Sequence, residues 1–286
     1  MTDTVFAADP VSAADPAVAA TTPHPWLRVE RRGAVQTVTL ANPSQRNAMT
    51  PSLWRALGQV AADTPDEVRV VVLRGDGRSF CAGLHRQMLT AEGIEGEDDM
   101  LAVAERGEQH AEAMIEEFQR GFTRWAELSA VVVAGVQGHA IGGGFQLALA
   151  ADLRVATDDV QLAMRETSLG MVPDLAGTSP LVQLVGVSRA LEICATGRLV
   201  GAVEAREMGL VNLVVPTGEL DAGVEQVVGG LLAAPDLALR ALKPLLRAAV
   251  TSTPSQQQAA ERAANARLLA TMARVATGDD APSGQE

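Results

Sequence analysis

The sequence predicts an α/β fold built on a largely parallel sheet, and three observations predict it. Val68–Leu73 and Val131-Val132-Val133 are short, continuously apolar, β-rich runs, as expected of strands covered on both faces. Between and after them apolar residues recur at helical spacing: Leu53, Leu57 and Val60, then Met114, Ile115, Phe118, Phe122 and Trp125. Ala134–Asp152, which reads AGVQGHAIGGGFQLALAAD, joins such a strand to such a helix through Gly142, Gly143 and Gly144.

The elements follow in order. The Ala/Asp/Pro/Thr-rich start, residues 1–25, reads as a disordered tail. Trp26–Val29 and Val35–Leu40 read as a hairpin around Arg31-Arg32-Gly33. Thr50-Pro51 is a helix start, a capping residue followed by Pro at the first helical position, and Thr64-Pro65 ends that helix. After the Val68–Leu73 strand, Gly75-Asp76-Gly77 turns the chain into Ser79–His85, a small-residue loop where open α/β sheets place ligands. Met88 to Glu108 is acidic and poorly periodic, either a mobile lid or a solvated insertion. A helix over Ala111–Leu128 follows, then the glycine-turn unit and a strand at Leu153–Ala156. A long loop, Met164–Gly177, leads to a helix from Ser179-Pro180 closed by Gly186. Further helices fit Ser188–Thr196 and Val203–Met208, before a strand at Val211–Val215 stopped by Pro216. From Glu219 the chain is helical in three segments, to Leu232, from Pro235 to about Val250, and from Thr253-Pro254 onward. The domain reading is a core over 26–215, a helical region over 216–276 and a disordered tail over 277–286.

Composition narrows the function. At 286 residues with 47% hydrophobic content the chain can bury a substantial core. A formal net charge of -12 argues against nucleic acid or an anionic membrane as partner, and the few aromatics give no stacking platform for single strands. Cys81 and Cys194 form no disulfide framework or zinc spacing and read as inert thiols. The absence of a secretory signal predicts a cytoplasmic protein. The uncharged stretch Ser129–Ala151 is long enough to span a bilayer, but its Gln137-Gly138-His139 and triple glycine make it two buried elements and a turn.

The chemistry-bearing candidates fall in two places. A helix that begins at the triple glycine points unpaired N–H groups back at the turn, where they can hold an oxyanion; glycine used for conformation alone is the other reading. Glu166 and Asp174 share one Gly/Pro-rich loop with Leu169, Met171, Val172 and Leu175. A carboxylate in an apolar wall gains proton affinity and suits acid–base work, whereas a surface loop whose acids cap amides is the plainer alternative. His85 and His139 border the two turns with no partner at a diagnostic spacing. Ser79, Ser168 and Thr178 lack a nucleophile elbow, and no Walker loop, dinucleotide fingerprint or metal-ligand spacing is present.

Five segments in this order resemble the enoyl-CoA hydratase/isomerase (crotonase) superfamily: NPSQRNAMTPSL at Asn42–Leu53, SFCAGLH at Ser79–His85, GVQGHAIGGGFQLALAADLRVAT at Gly135–Thr157, RETSLGMVPDLAGTSPLVQLVG at Arg165–Gly186 and AREMGLVNLVV at Ala205–Val215. The resemblance implies a crotonase-like ββα spiral with a C-terminal helical trimerisation region, and a homotrimer or dimer of trimers. It implies an acyl-CoA thioester as ligand, with coenzyme A part of the substrate and no separate cofactor or metal. On matching positions it gives an oxyanion hole from the Leu84 and Gly143 amides, with Ala82, Gly83, His85, Gly142 and Gln146 contacting substrate. Gln146 stands where the family's hydratases carry their first glutamate, and His85 where the first motif usually carries Asp. Glu166 matches the second glutamate. Glu166 with Asp174 keeps the eight-residue interval of the family's dienoyl-CoA isomerases, though these carry a further Asp where Gln146 stands. The implied reaction is double-bond migration with Glu166 and Asp174 catalytic, hydration with one glutamate or non-catalytic acyl-CoA binding being the alternatives.

Overall fold

The structure, a computed structural model, describes residues 17–90 and 92–277. Two compact units meet in sequence at Gly230 and Leu231. The first opens with β1 (Ala17–His24), β2 (Leu27–Arg32) and β3 (Val35–Leu40), paired antiparallel in that order. α1 (Pro51–Ala62) crosses to β4 (Val70–Gly75), which lies parallel to β3. The acidic stretch and two helices, α2 (Met100–Glu105) and α3 (Glu108–Glu127), then lead to β5 (Val131–Val136), parallel to β4. After β6 (His139–Ile141) and α4 (Gly143–Ala150), β7 (Leu153–Thr157) pairs parallel with β5. β8 (Gln161–Ala163), α5 (Thr178–Thr196), β9 (Val200–Gly201) and α6 (Ala202–Glu207) precede β10 (Leu213–Val215). One sheet runs β1-β2-β3-β4-β5-β7-β10, and β6, β8 and β9 make a second, small one.

The apolar runs dictate this arrangement. Every residue of β5 is buried, as is the Val70–Leu73 run of β4, so both strands are covered on both faces. α1 and α3 pack on each other within the same core cluster as these strands, with the Trp54 ring 5.1 Å from Phe118 and 6.1 Å from Phe122. Helix α1 starts where Thr50-Pro51 predicts, although the Thr50 side chain makes no capping bond. Helix α5 contains the predicted break: Gly186 has φ 77° and ψ 162°, which separates two helical pieces.

Two expectations need correction. Residues 17–24, assigned to a tail ending at 25, form β1 on the edge of the main sheet; residues 1–16 and 278–286 lie outside the described residues. The helical region expected from 216 opens with a helix at Leu220, and the second unit begins at Leu231. The first turns of α7 (Leu220–Ala233) bury Leu220 and Val224, which pack over Gly135 of β5. The acidic stretch is also anchored rather than simply solvated. Glu97 accepts from the Ser52 N–H (2.9 Å) and the Ser52 hydroxyl at the start of α1, and Asp98 pairs with Arg55 at 2.6 Å.

The second unit packs α8 (Asp236–Ala249) against α9 (Pro254–Thr277). A groove of about 440 Å³ between them is lined by Ala238, Ala241, Leu242, Leu245 and Leu268 among others. Leu242, Leu246, Leu269, Met272 and Val275 are exposed. No single helix among the described residues is long and apolar enough to cross a membrane.

One buried cation ties the glycine-turn helix to the sheet. Arg154 of β7 donates from Nε to Leu210 O (2.6 Å) and from one Nη to Ala151 O (2.7 Å) and Ala148 O (3.3 Å), and is 4% exposed. It thereby satisfies carbonyls that the end of α4 leaves without helical partners. Burial lowers its pKa to about 10, so it stays charged at neutral pH. Arg154→Met strands those carbonyls and is expected to cost about 2–4 kcal/mol of stability, read as a lowered midpoint of denaturant unfolding.

Candidate active site

Two loops from neighbouring parallel strands build the centre of the site. After β4 the chain pairs with the segment after β5: Phe80 N–H donates to Gln137 O (2.8 Å), Cys81 N–H to His139 O (3.0 Å), and Ile141 N–H to Cys81 O (3.0 Å). Two residues later it turns to Met49, whose N–H donates to Gly83 O (2.8 Å) and whose O accepts from His85 N–H (2.8 Å). Backbone groups alternate sides in an extended chain, so this bracket faces the Leu84 N–H away from Met49. Gly83 sits at φ +88°, and a Cβ there would stand 2.6 Å from Ile141 O and 3.6 Å from Gly143 N. The Gly83-Leu84 link and the Gly143 amide are therefore immediate neighbours. Gly143 opens α4, and as a first-turn residue its N–H has no helical acceptor. Among the described residues neither the Leu84 nor the Gly143 N–H has a hydrogen-bond acceptor. Met49 Cε and Leu175 Cδ1, both 3.2 Å from a Cβ position at 143, give this point apolar walls.

The small sheet brings the acid. β6 and β8 run parallel with His139 opposite Gln161 and Ile141 opposite Ala163. β6 therefore ends in the glycine turn beside the segment that β8 feeds, Met164-Arg165-Glu166. Gly142 N–H donates to Ala163 O (2.8 Å), and a Cβ at Gly142 would be 3.1 Å from Glu166 Oε1. Glu166 opens a short 3₁₀ turn that Gly170 closes, and is 8% exposed. Its Oε1 accepts from Gln146 Nε2 at 2.8 Å, while its Oε2 is buried without a hydrogen-bond partner among the described residues. Burial raises its pKa above the ordinary glutamate value, and the nearby Asp174 charge adds to the rise. Burial also raises Asp174, whose main-chain O accepts from Gln119 Nε2 of α3 at 2.8 Å. Next to these, Leu169 and Val172 are exposed and Met171 partly so.

The structure therefore brings Gly83, Leu84, Gly142, Gly143, Gln146, Glu166 and Asp174 into one neighbourhood. Ala82 belongs to the frame, its N–H donating to Arg46 O (2.9 Å). His85 follows the Leu84 amide in the chain. Its Nδ1 accepts from Gln87 N–H (3.4 Å) and its ring stacks on Trp26 with centroids 6.4 Å apart. Gln146, expected against substrate, is 1% exposed and hydrogen-bonded at both ends of its carboxamide, Oε1 accepting from Leu175 N–H (2.9 Å) and Gly177 N–H (3.2 Å). Cys81 is buried, donates to Asn47 O (3.0 Å), and has its thiol pushed up to about 12 by burial. Among the described residues no group of three or more His, Cys, Asp and Glu side chains is placed to hold a metal ion.

Sequence reasoning passed over Asn47, which holds the first loop in place. Its Nδ2 donates to Asp76 O, Ser79 O and Phe80 O at 2.8–3.1 Å, and its Oδ1 accepts from Asn42 N–H at 2.9 Å. The available signal was asparagine in a turn, and indeed Asn47 sits at φ +54°.

Two N–H groups with no acceptor among the described residues, at a strand–turn–helix junction beside a buried carboxylate, form the kind of site that polarises a carbonyl and moves an adjacent proton. Known proteins narrow this class. The family pattern described as enoyl-CoA hydratase/isomerase matches residues 30–278. The carnitinyl-CoA dehydratase of Salmonella typhi is 34% identical over 225 residues, 78% of this chain and 80% of its own. A Bacillus subtilis relative bearing an enoyl-CoA hydratase name is 33% identical over 181 residues, 63% of this chain and 65% of its own length, just under two thirds. Among solved structures, a Thermobifida fusca protein given an enoyl-CoA hydratase name and crystallised with CoA superposes at a TM-score of 0.82 and 41% identity, covering 87% of this chain and 95% of that one. Its complex with acetoacetyl-CoA gives 0.81 at 42% identity, covering 86% and 95%. The chain belongs to the enoyl-CoA hydratase/isomerase family, and it has the crotonase fold and acyl-CoA-processing class of that superfamily.

Proposed function

We infer that the chain binds an acyl-CoA thioester with its carbonyl oxygen on the Leu84 and Gly143 N–H groups and shifts a carbon–carbon double bond through an enolate. The observation that carries this reading is the pairing of Glu166 with an amide. Where a hydratase has a second carboxylate to share a water, Gln146 supplies only a donor, leaving one oxygen, Glu166 Oε2, free to take a proton. On a 3-enoyl thioester, Oε2 takes a proton from carbon 2. The C–H electron pair enters a dienolate whose charge rests on the thioester oxygen, between the two N–H groups. The carboxyl then returns the proton to carbon 4, and the double bond ends between carbons 2 and 3. On a dienoyl substrate Asp174 shares the transfer as the second proton carrier. The exposed leucines of α8 and α9 are consistent with the homotrimer or dimer of trimers that the resemblance implies.

A second reading, addition or elimination of water with Glu166 as sole acid–base group, is favoured by the hydratase and dehydratase names of the relatives. Product analysis of the wild type, Glu166→Gln and Asp174→Asn on 2-enoyl-, 3-enoyl- and dienoyl-CoA separates the two. Migration without hydroxyacyl product supports the isomerase reading, and hydroxyacyl-CoA from 2-enoyl-CoA alone overturns it. Because Glu166 works as a base, kcat/KM is expected to rise with pH as its carboxyl ionises. Burial favours the neutral form, so the midpoint is expected above the ordinary 4.5. A pH–rate profile with its acidic limb at or below that value would contradict the assignment.

A further inference from the structure

The carboxamide of Gln146 is oriented by its surroundings. One end meets two main-chain N–H groups, those of Leu175 and Gly177, so that end is the oxygen. The NH2 end then faces Glu166, and donates to Oε1 at 2.8 Å. The two N–H groups flank Ala176, which holds φ +63°, a left-handed conformation that costs an alanine roughly 1–2 kcal/mol. A strained residue persists where its surroundings over-determine it, and here the Gln146 oxygen grips the chain on both sides of it. The turn also closes tightly on the side chain: a Cβ at Gly177 would lie 2.5 Å from Gln146 Cγ. The turn begins next to Asp174, so one buried side chain joins the glycine-turn helix, the carboxylate of Glu166 and the segment that carries the second acid.

We propose that Gln146 is a positioning residue: its amide occupies Glu166 Oε1 and fixes the Leu175–Gly177 turn, so that Oε2 alone faces the substrate and Asp174 is held across from it. This rests on the reading of Glu166 as the proton carrier. The donor from Gln146 also stabilises the ionised carboxylate against the burial that disfavours it. The acid–base behaviour of the site is thereby set from position 146 without contact between that residue and the reacting carbons.

Two variants of the full-length chain test this, read by kcat, KM, the pH profile of kcat/KM and thermal unfolding. Gln146→Met keeps the volume and removes both kinds of hydrogen bond. It is expected to lower kcat on the order of 10²-fold with KM within about threefold, since a base displaced by about an ångström loses about that much. Its acidic limb is expected at higher pH, because Glu166 loses a donor to its charged form. Gln146→Glu keeps the acceptor for Leu175 and Gly177, and donates to Glu166 only while the pair shares a proton. Its activity is expected to approach wild type at low pH and to fall on the alkaline side, where the wild type holds level. An unmoved acidic limb with unchanged kcat in Gln146→Met overturns the proposal, as does a lowered unfolding temperature with no change in the profile. If Gln146→Met does not fold, the alkaline fall in Gln146→Glu decides alone, and its absence is equally fatal. Activity surviving in Glu166→Gln would instead sink the reading of Glu166. An inactive Glu166→Gln beside a Gln146→Met with wild-type profile would sink only the role of Gln146.

Discussion

Glu166→Gln is expected to reduce kcat/KM for double-bond migration by about 10²–10⁴-fold, the range supplied by a positioned acid–base group. The substitution is nearly isosteric. The new amide can still meet Gln146 through its oxygen, and Gly142 leaves room beside it, so the fold is expected to stand and thioester binding to persist. The effect should therefore fall on kcat, with KM moving little, and solvent deuterium should cease to enter the recovered substrate. Asp174→Asn is expected to cost less on 3-enoyl substrates, because Asp174 is the second carrier and not the first. A Glu166→Gln enzyme that exchanged the proton at wild-type rate would place the base elsewhere.

The second large effect is expected at a residue with no side chain. Gly83→Ala puts a Cβ 2.6 Å from Ile141 O, at a φ of +88° that alanine rarely adopts. The backbone must shift, and what shifts is the link into the Leu84 amide, next to Gly143 N. Losing one donor to a developing oxyanion lowers kcat on the order of 10²–10³-fold. Steady-state kinetics beside a melting curve check this: a folded variant with wild-type kcat would show that the Leu84 amide does not serve the carbonyl. The two substitutions differ in signature. Gly83→Ala should leave the acidic limb of the pH profile where it was, while Glu166→Gln should abolish it.

Much of this arrangement was legible in the sequence because it rests on strong local signals. The continuous apolar runs at Val68–Leu73 and Val131–Val133 gave β4 and β5, Thr50-Pro51 gave the start of α1, and Gly186 gave the break in α5. The triple glycine and the Glu166–Asp174 loop are legible for chemical reasons, a helix start without side chains and two acids among apolar neighbours. What escaped notice depends on partners distant in sequence. β6 and β8 have three residues each, too few for periodicity, and exist because they pair with each other. β1 is an Ala/Thr/Pro segment with a disordered composition, made a strand by the edge of β2 and kept there through two irregularities in register. Asn47 gains its role from three carbonyls about thirty residues away, and the orientation of Gln146 from two amides on another loop.

The pairing of β6 with β8 has a consequence for how such a catalyst can diversify. The ladder that seats the glycine turn also seats the entry to the acid-bearing loop, so the spacing between these two stretches of main chain is set by the pairing itself. Position 146 projects from the adjoining helix into that fixed interval. On the proposed reading, a change at 146 retunes the acid while the thioester stays seated in the same place, which makes this one position a cheap dial for trading one enolate reaction for another.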